Sequence, residues 1–206
     1  RKPLKIGVCG VGTVGLATIE ILRDQHETLL ARSGQAMVVS HVGARREHPN
    51  HDYGEARVSR DVLDVARDPD VDVLVELIGG ATVAHEVIKL AIQQGKHVVT
   101  ANKALIAEHG NELIALAEAA GVQIRYEAAV AGGIPVIKVL RESLAANAVT
   151  EVAGIINGTG NFILTEMSTK GRAFDDVLSE AQALGYAEAD PTFDIDGTDA
   201  AHKLVI

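Results

Sequence analysis

Residues 185–203, GYAEADPTFDIDGTDAAHK, bring five carboxylates (Glu188, Asp190, Asp194, Asp196 and Asp199) close to one cation, Lys203. Pro191 and Gly197 interrupt any regular element, so the segment is expected to run as a loop to about Thr198. From there a helix-like run puts Asp199 and Lys203 four apart, on one face. Such a segment can bind a metal, grip an amine or handle protons. It can equally be a solvated acidic loop with a surface ion pair.

A second chemical signal lies at the other end of the chain. Residues 5–9 (KIGVC) read as a buried parallel strand that runs into Gly10-Val11-Gly12-Thr13-Val14-Gly15. Glycines in this pattern, after a strand and at the start of a helix, carry the mechanics of dinucleotide binding. Gly10 permits the tight turn, Gly12 lets the backbone approach a pyrophosphate, and Gly15 packs helix on sheet. The helix N-terminus offers free N–H groups to the phosphates. The apolar stripe expected on that helix is Val14, Ala17, Ile21 and Leu22. The next strand, residues 37–42, ends at Gly43-Ala44-Arg45-Arg46. A carboxylate there would suit the ribose hydroxyls of NAD. Arginine instead suits a 2′-phosphate, so NADP(H) is preferred over NAD(H), with Arg45 as the first contact.

The elements that must position these residues alternate. Residues 47–58 are polar and irregular, and His48, His51 and Asp52 within them read as an exposed loop rather than a metal site. Ser59 is expected to cap a short helix to Ala66. Residues 71–77 (VDVLVEL) form a strand ending at Gly79-Gly80, placed to lie near the nicotinamide half of a cofactor. Thr82 is expected to cap a helix with the stripe Val83, Val87, Ile88, Ala91 and Ile92, which Gly95 ends. Residues 97–100 form a strand from whose carboxyl end Lys103 emerges. A helix to Ala120 and a strand over 122–126 complete the run. This order predicts a Rossmann-type doubly wound parallel sheet over residues 1–130. Residues 131–206 then form an α+β substrate-binding, catalytic and dimerisation region. It should hold a short helix to about Leu144, a strand near 149–156, a helix starting at Phe162 that Asn157 and its neighbours cap, and a helix with the stripe Phe174, Val177, Leu178, Ala181 and Leu184.

Composition narrows the classes. A net charge of −9 and no basic run argue against nucleic acid or an anionic membrane. No apolar run is long enough to span a bilayer, no signal-peptide pattern is present, and one cysteine, Cys9, excludes an internal disulfide. These readings point to the cytoplasm. The absence of an initiator methionine and the stop at KLVI inside a helical pattern predict a longer parent chain.

Taken together, GVGTVG, GKHVVTANKALIAEHG, YEAAVAGGIP, NGTGNFILTEM and GYAEADPTFDIDGTDAAHK resemble segments of homoserine dehydrogenase, in order and over essentially all 206 residues. The last two segments are the specific ones. The resemblance implies NAD(P)-dependent interconversion of L-homoserine and L-aspartate 4-semialdehyde, on the route to threonine and methionine. It implies that Lys203 is the proton-donating lysine and Lys103 a second active-site lysine beside cofactor and substrate. Glu188 becomes a substrate-binding carboxylate, and Asp194 and Asp199 the acids that order the site. Thr13, Val14 and Arg45 become cofactor contacts. Glu127, Val130, Gly132 and Ile134 fall where the family holds a sodium ion, largely through backbone oxygens. A homodimer or higher homo-oligomer is implied as well. Gly160 departs from the family, which commonly carries a hydroxyl residue there. The chemistry agrees: reducing an aldehyde needs a hydride at carbon and a proton at oxygen. A lysine, with a reference pKa near 10.4, is mostly protonated at neutral pH. Two alternatives are a non-catalytic dinucleotide sensor and a related oxidoreductase acting on another small aldehyde.

Overall fold

The apolar runs pair in one direction throughout a computed structural model that describes residues 1–46 and 51–206. His48 therefore lies outside the described residues. The chain divides into two units, Arg1–Gly133 and Ile134–Ile206. In the first, strands β1 (Leu4–Cys9), β2 (Met37–Gly43), β3 (Arg57–Ser59), β4 (Val73–Glu76), β5 (His97–Thr100) and β6 (Ile124–Arg125) form one sheet in the order β3-β2-β1-β4-β5-β6. Every pairing is parallel. The order reverses beside β1, and a ligand crevice forms at such a switch point, outside the carboxyl ends of the strands.

Helices α1 (Thr13–Asp24), α2 (His26–Ser33), α3 (Val62–Arg67), α4 (Thr82–Gln93) and α5 (Lys103–Ala119) flank the sheet. The largest fully buried apolar side chains include Leu74 on the sheet, Ile88 and Ile92 on α4, and Leu105 and Leu113 on α5. Each such side chain contributes roughly 1.5–3 kcal/mol by leaving water.

Several local expectations are corrected. On α1 the buried positions are Gly15 and Ile19, while Val14 and Ile21 are more than half exposed. The glycine turn fixes which face meets the sheet, and an apolar stripe read by spacing alone falls one face away. On α4 the inward residue of the first turn is Ala84, not Val83. Ser59 caps nothing: it ends β3, and Asp61 caps α3 by accepting the Leu63 N–H at 2.9 Å. Ser59 instead meets His41 Nε2 at 2.7 Å, and His41 Nδ1 meets Asp68 at 2.6 Å. His41 is fully buried, so this chain of polar contacts pins β2, β3 and the turn before β4 together. Burial alone would raise the Asp68 carboxyl, but the Asp70 N–H, His41 and Arg57 outweigh it and hold it below its ordinary range. Thr82 opens α4 without capping it; Ala81 is the cap residue. Cys9 is buried, and that burial, with Glu76 nearby, pushes its thiol far up, as a core residue requires.

The second unit is helical. A short helix α6 (Val136–Lys138) runs into a wider turn over Val139–Ser143. Helices α7 (Gly158–Lys170), α8 (Phe174–Ala183), α9 (Thr192–Ile195) and α10 (Thr198–Val205) follow. The strand expected near 149–156 is absent, and Val149, Val152, Ile155 and Ile156 are exposed. A strand needs an edge to bond with, and among the described residues of this unit none exists. On α8 the buried pair is Val177 and Ala181, whereas Phe174 and Leu184 are exposed.

The glycine fingerprint carries a steric prediction. A Cβ on Gly15 would lie 2.0 Å from the Gly10 carbonyl oxygen, a backbone atom that cannot yield. Gly15→Ala is expected to destabilise the protein by about 1–3 kcal/mol in a urea melt. Gly12→Ala, whose Cβ meets no atom within 4 Å, should leave the melt unchanged.

Candidate active site

In the first unit a groove of about 740 Å³ opens at the carboxyl ends of β1, β2 and β4. Gly10 and Gly12 floor it, with Gly79 and Gly80 on one side and Arg45, Arg46 and Arg60 on the other. Gly10 has φ of 96°, and a Cβ there would meet the Leu77 carbonyl at 2.5 Å, so the turn accepts only glycine. Gly12, the N-cap residue of α1, has no side chain to satisfy the first-turn N–H groups, which are left for an anion. The empty space beside it is what a dinucleotide's phosphates need. Thr13 and Val14 are exposed at the same helix start, while Gly15 is buried and serves the packing. Arg60 escaped the sequence reading because it was placed in a helix with Ser59 as its cap. Strand β3 delivers it to the groove, where its Nη1 donates to the Ala44 carbonyl at 3.2 Å.

A buried polar chain shapes the neighbouring loops. Glu76 is fully buried; its two carboxyl oxygens accept from the Ile78 N–H at 2.7 Å and the Thr100 hydroxyl at 2.6 Å. Thr100 Oγ1 accepts from the Asn102 N–H, and the Asn102 amide donates to the Gly80 carbonyl at 2.6 Å. Asn102 also caps α5 by accepting the Leu105 N–H at 3.1 Å, which fixes Lys103 as the first helical residue. Glu127 lies on a single helical turn, Glu127–Ala129, and Ala131 follows with φ of 49°, unusual for a residue with a side chain. Val130 and Gly132 flank it in the first unit, and Ile134 opens the second.

In the second unit, a cleft of about 620 Å³ gathers Asn157, Tyr186, Asp194, Asp199 and Lys203. Asn157 is its hinge. Its Oδ1 accepts from the Gly160 N–H at 2.6 Å, so α7 begins at Gly158, four residues before the expected Phe162. A Cβ at position 160 would sit 3.1 Å from that same oxygen. Its Nδ2 donates to Asp194 and to Asp199, each at 2.8 Å. Asp199 is buried and pairs with Lys203 Nζ at 2.6 Å; Lys203 also donates to the Ile156 carbonyl at 2.5 Å. The helical spacing of 199 and 203 thus yields a held ion pair, not a solvated one.

The acidic segment is not one loop. Asp190 accepts from the Thr192 hydroxyl at 2.6 Å and from its N–H, contacts that hold its carboxyl below the ordinary range. That start turns the chain into α9, with Pro191 tolerated because it precedes the first helical residue. Thr159 Oγ1 donates to the Tyr186 carbonyl, and Tyr186 stands edge-on to Phe162, which fastens the segment's beginning to α7. Glu166, also in the cleft, is taken by Lys170 and Arg172, whose hydrogen bonds hold it below its ordinary range. Glu188 is exposed and outside the cleft, and its carbonyl accepts from Gln182 Nε2 at 3.1 Å.

Residues 10–127 match the homoserine dehydrogenase NAD binding domain and residues 135–206 the homoserine dehydrogenase family proper. The chain belongs to the homoserine dehydrogenase family. It is 60% identical over 205 residues to the homoserine dehydrogenase of Pseudomonas aeruginosa, with 100% of this chain and 47% of that protein covered. The crystal structure of a homoserine dehydrogenase from Thiobacillus denitrificans superposes with a TM-score of 0.88 at 54% identity, over 98% of this chain and 47% of that one. A hyperthermophilic archaeal homoserine dehydrogenase in complex with NADPH gives 0.82 at 31% identity, over 98% and 68%. The chain spans about half the length of the curated homoserine dehydrogenases it matches. Both candidate sites lie inside matched regions: the glycine groove in the nucleotide-binding part, the Asn157 cleft in the other.

Asn157 invites a direct measurement. Asn157→Ala removes a helix cap, a loss of about 1 kcal/mol, and also leaves Asp194 and the buried Asp199 each short of a donor. The summed destabilisation should therefore exceed that of a cap alone, reaching about 2–4 kcal/mol in a denaturant melt. Asn157→Asp, which keeps the cap but sets a third carboxyl against two others, should be no better.

Proposed function

We propose that this chain carries the nucleotide-binding and catalytic parts of a homoserine dehydrogenase, interconverting L-homoserine and L-aspartate 4-semialdehyde. The observation that carries the reading is the ion pair of Lys203 with buried Asp199, in one cleft with Asp194. An ammonium has three donors. Two go to Asp199 and Ile156, which leaves one for a substrate oxygen. In the reductive direction a nicotinamide dinucleotide, held by Gly10, Gly12, Thr13 and Arg45, would supply the hydride for the aldehyde carbon. Lys203 then gives its proton to the alkoxide that forms at oxygen, and in the oxidative direction it takes the hydroxyl proton back. Asp199 holds the ammonium in place, and Asp194, in the same cleft, suits the substrate's own ammonium group. Lys103, capped into position by Asn102, is the second active-site lysine of this reading.

NADP(H) is the preferred cofactor and NAD(H) a poorer one. Three arginines on one side of the glycine groove, Arg45, Arg46 and Arg60, support a 2′-phosphate, and an archaeal relative is described in complex with NADPH. A sodium ion, held largely through backbone oxygens of Glu127, Val130, Gly132 and Ile134, belongs to the same reading, and the unusual backbone of Ala131, with φ of 49°, lies within that stretch. The partners are small molecules and further copies of the chain, in the cytoplasm. The net charge of −9 offers nothing to nucleic acid, and among the described residues no helix is long and apolar enough to cross a membrane.

NADPH consumption with L-aspartate 4-semialdehyde, followed with the full-length protein, tests the reading. Lys203→Ala should lower kcat by a factor on the order of 10²–10⁴ with nucleotide affinity intact. A variant that still turns over would remove Lys203 from the chemistry. Arg45→Ala and Arg60→Ala should each raise KM for NADPH by about tenfold or more and leave KM for NADH nearly unchanged. Equal effects on the two cofactors would mean that the arginines do not read the 2′-phosphate.

A further inference from the structure

Among the described residues, His85 on α4 and His109 and Glu112 on α5 bring one ligand atom each within 4.8 Å of one another, and none of the three lines the glycine groove. We propose that these three side chains form a binding site for a divalent transition-metal ion of the zinc type, clamping α4 to α5. Two imidazoles and a carboxylate are a donor set that such ions take, with a fourth position left to water. A zinc ion holds nitrogen and oxygen ligands at about 2.0–2.2 Å, which puts tetrahedral ligands about 3.3–3.6 Å apart. His85 Nε2 is already 3.3 Å from Glu112 Oε2, and His109 Nδ1 is 4.0 Å from the same oxygen. A small rotation of the His109 ring closes the set.

The surroundings fit as well. With Nδ1 turned to the ion, the other nitrogen of His109 faces Glu108 Oε2 at 4.0 Å, the outer carboxylate that commonly orients a metal-bound imidazole. The backbone spacing is rigid, because His109 and Glu112 are one turn apart on α5 and His85 sits on α4 packed against it. Lys89 is the competitor: its Nζ lies 3.1 Å from Glu112 Oε1. It takes the opposite carboxyl oxygen and is exposed enough to swing into solvent when a dication arrives.

The test is a titration of the full-length, tag-free, metal-stripped protein with Zn²⁺ against a chromophoric chelator, and with Co²⁺ followed by visible absorption. One equivalent is expected, with cobalt bands of a low-coordinate nitrogen–oxygen site. His85→Ala, His109→Ala and Glu112→Gln should each weaken Zn²⁺ by at least about tenfold and abolish the cobalt bands. Lys89→Ala, which keeps all three ligands, should bind at least as tightly as the parent. No competition with the chelator, binding that survives the histidine substitutions, or binding lost in Lys89→Ala would each overturn the assignment. All four side chains are partly solvent-exposed, so matching circular dichroism melts of the metal-free variants separate ligand loss from misfolding.

Discussion

Glu76 is the group on which the first unit turns. A carboxyl with no exposure is costly to bury unless both oxygens are used, and here both are. The pairing has a geometric result. One oxygen holds the backbone just beyond β4 and the other holds the end of β5, and Thr100 hands the connection on to Asn102. That amide then grips the Gly80 carbonyl and caps α5. The loop after β4 that borders the nucleotide groove, the loop after β5 and the lysine that follows it are therefore set by one connected chain of hydrogen bonds, not by separate loop preferences. Such chains strengthen when complete and fail together when one member is lost.

The second unit solves the same problem with a neutral group. Asn157 ends an irregular, exposed stretch, starts α7 and ties down two carboxylates that come from elements about forty residues further along the chain. A carboxylate at that position would add a third negative charge, and a hydroxyl residue is too short to reach both acids. Only an amide offers an acceptor for the helix and two donors for the acids at once. Lys203 then completes the balance by supplying the positive charge that neighbouring acids lack.

Much of this was legible in the chain. The strands of the parallel sheet announced themselves as short β-branched runs, the glycine fingerprint marked the crevice, and the spacing of Asp199 and Lys203 showed them on one face. What was not legible depends on three-dimensional partners. The helix stripes at Val14 and Ile21, and at Val83, were misread because two or three apolar residues near a helix start do not say which of them faces the sheet. The strand expected near 149–156 had the right residues but no edge to join. Arg60 carried no local signal of its importance, and Asn157 read only as part of a helix-capping turn. One reaches its groove only because β3 pairs with β2, and the other looked like an ordinary turn residue until its amide found two distant aspartates.

The crowding of Gly15 against Gly10 bears on how such a fingerprint ought to be interpreted. Two of its three glycines answer to the backbone beneath them, so a descendant that abandoned nucleotides altogether would still be compelled to retain both. Their persistence testifies to ancestry and architecture. Only the middle glycine, which touches nothing, is at liberty to drift once the occupant of the groove is gone, and its identity is the more telling witness to present use.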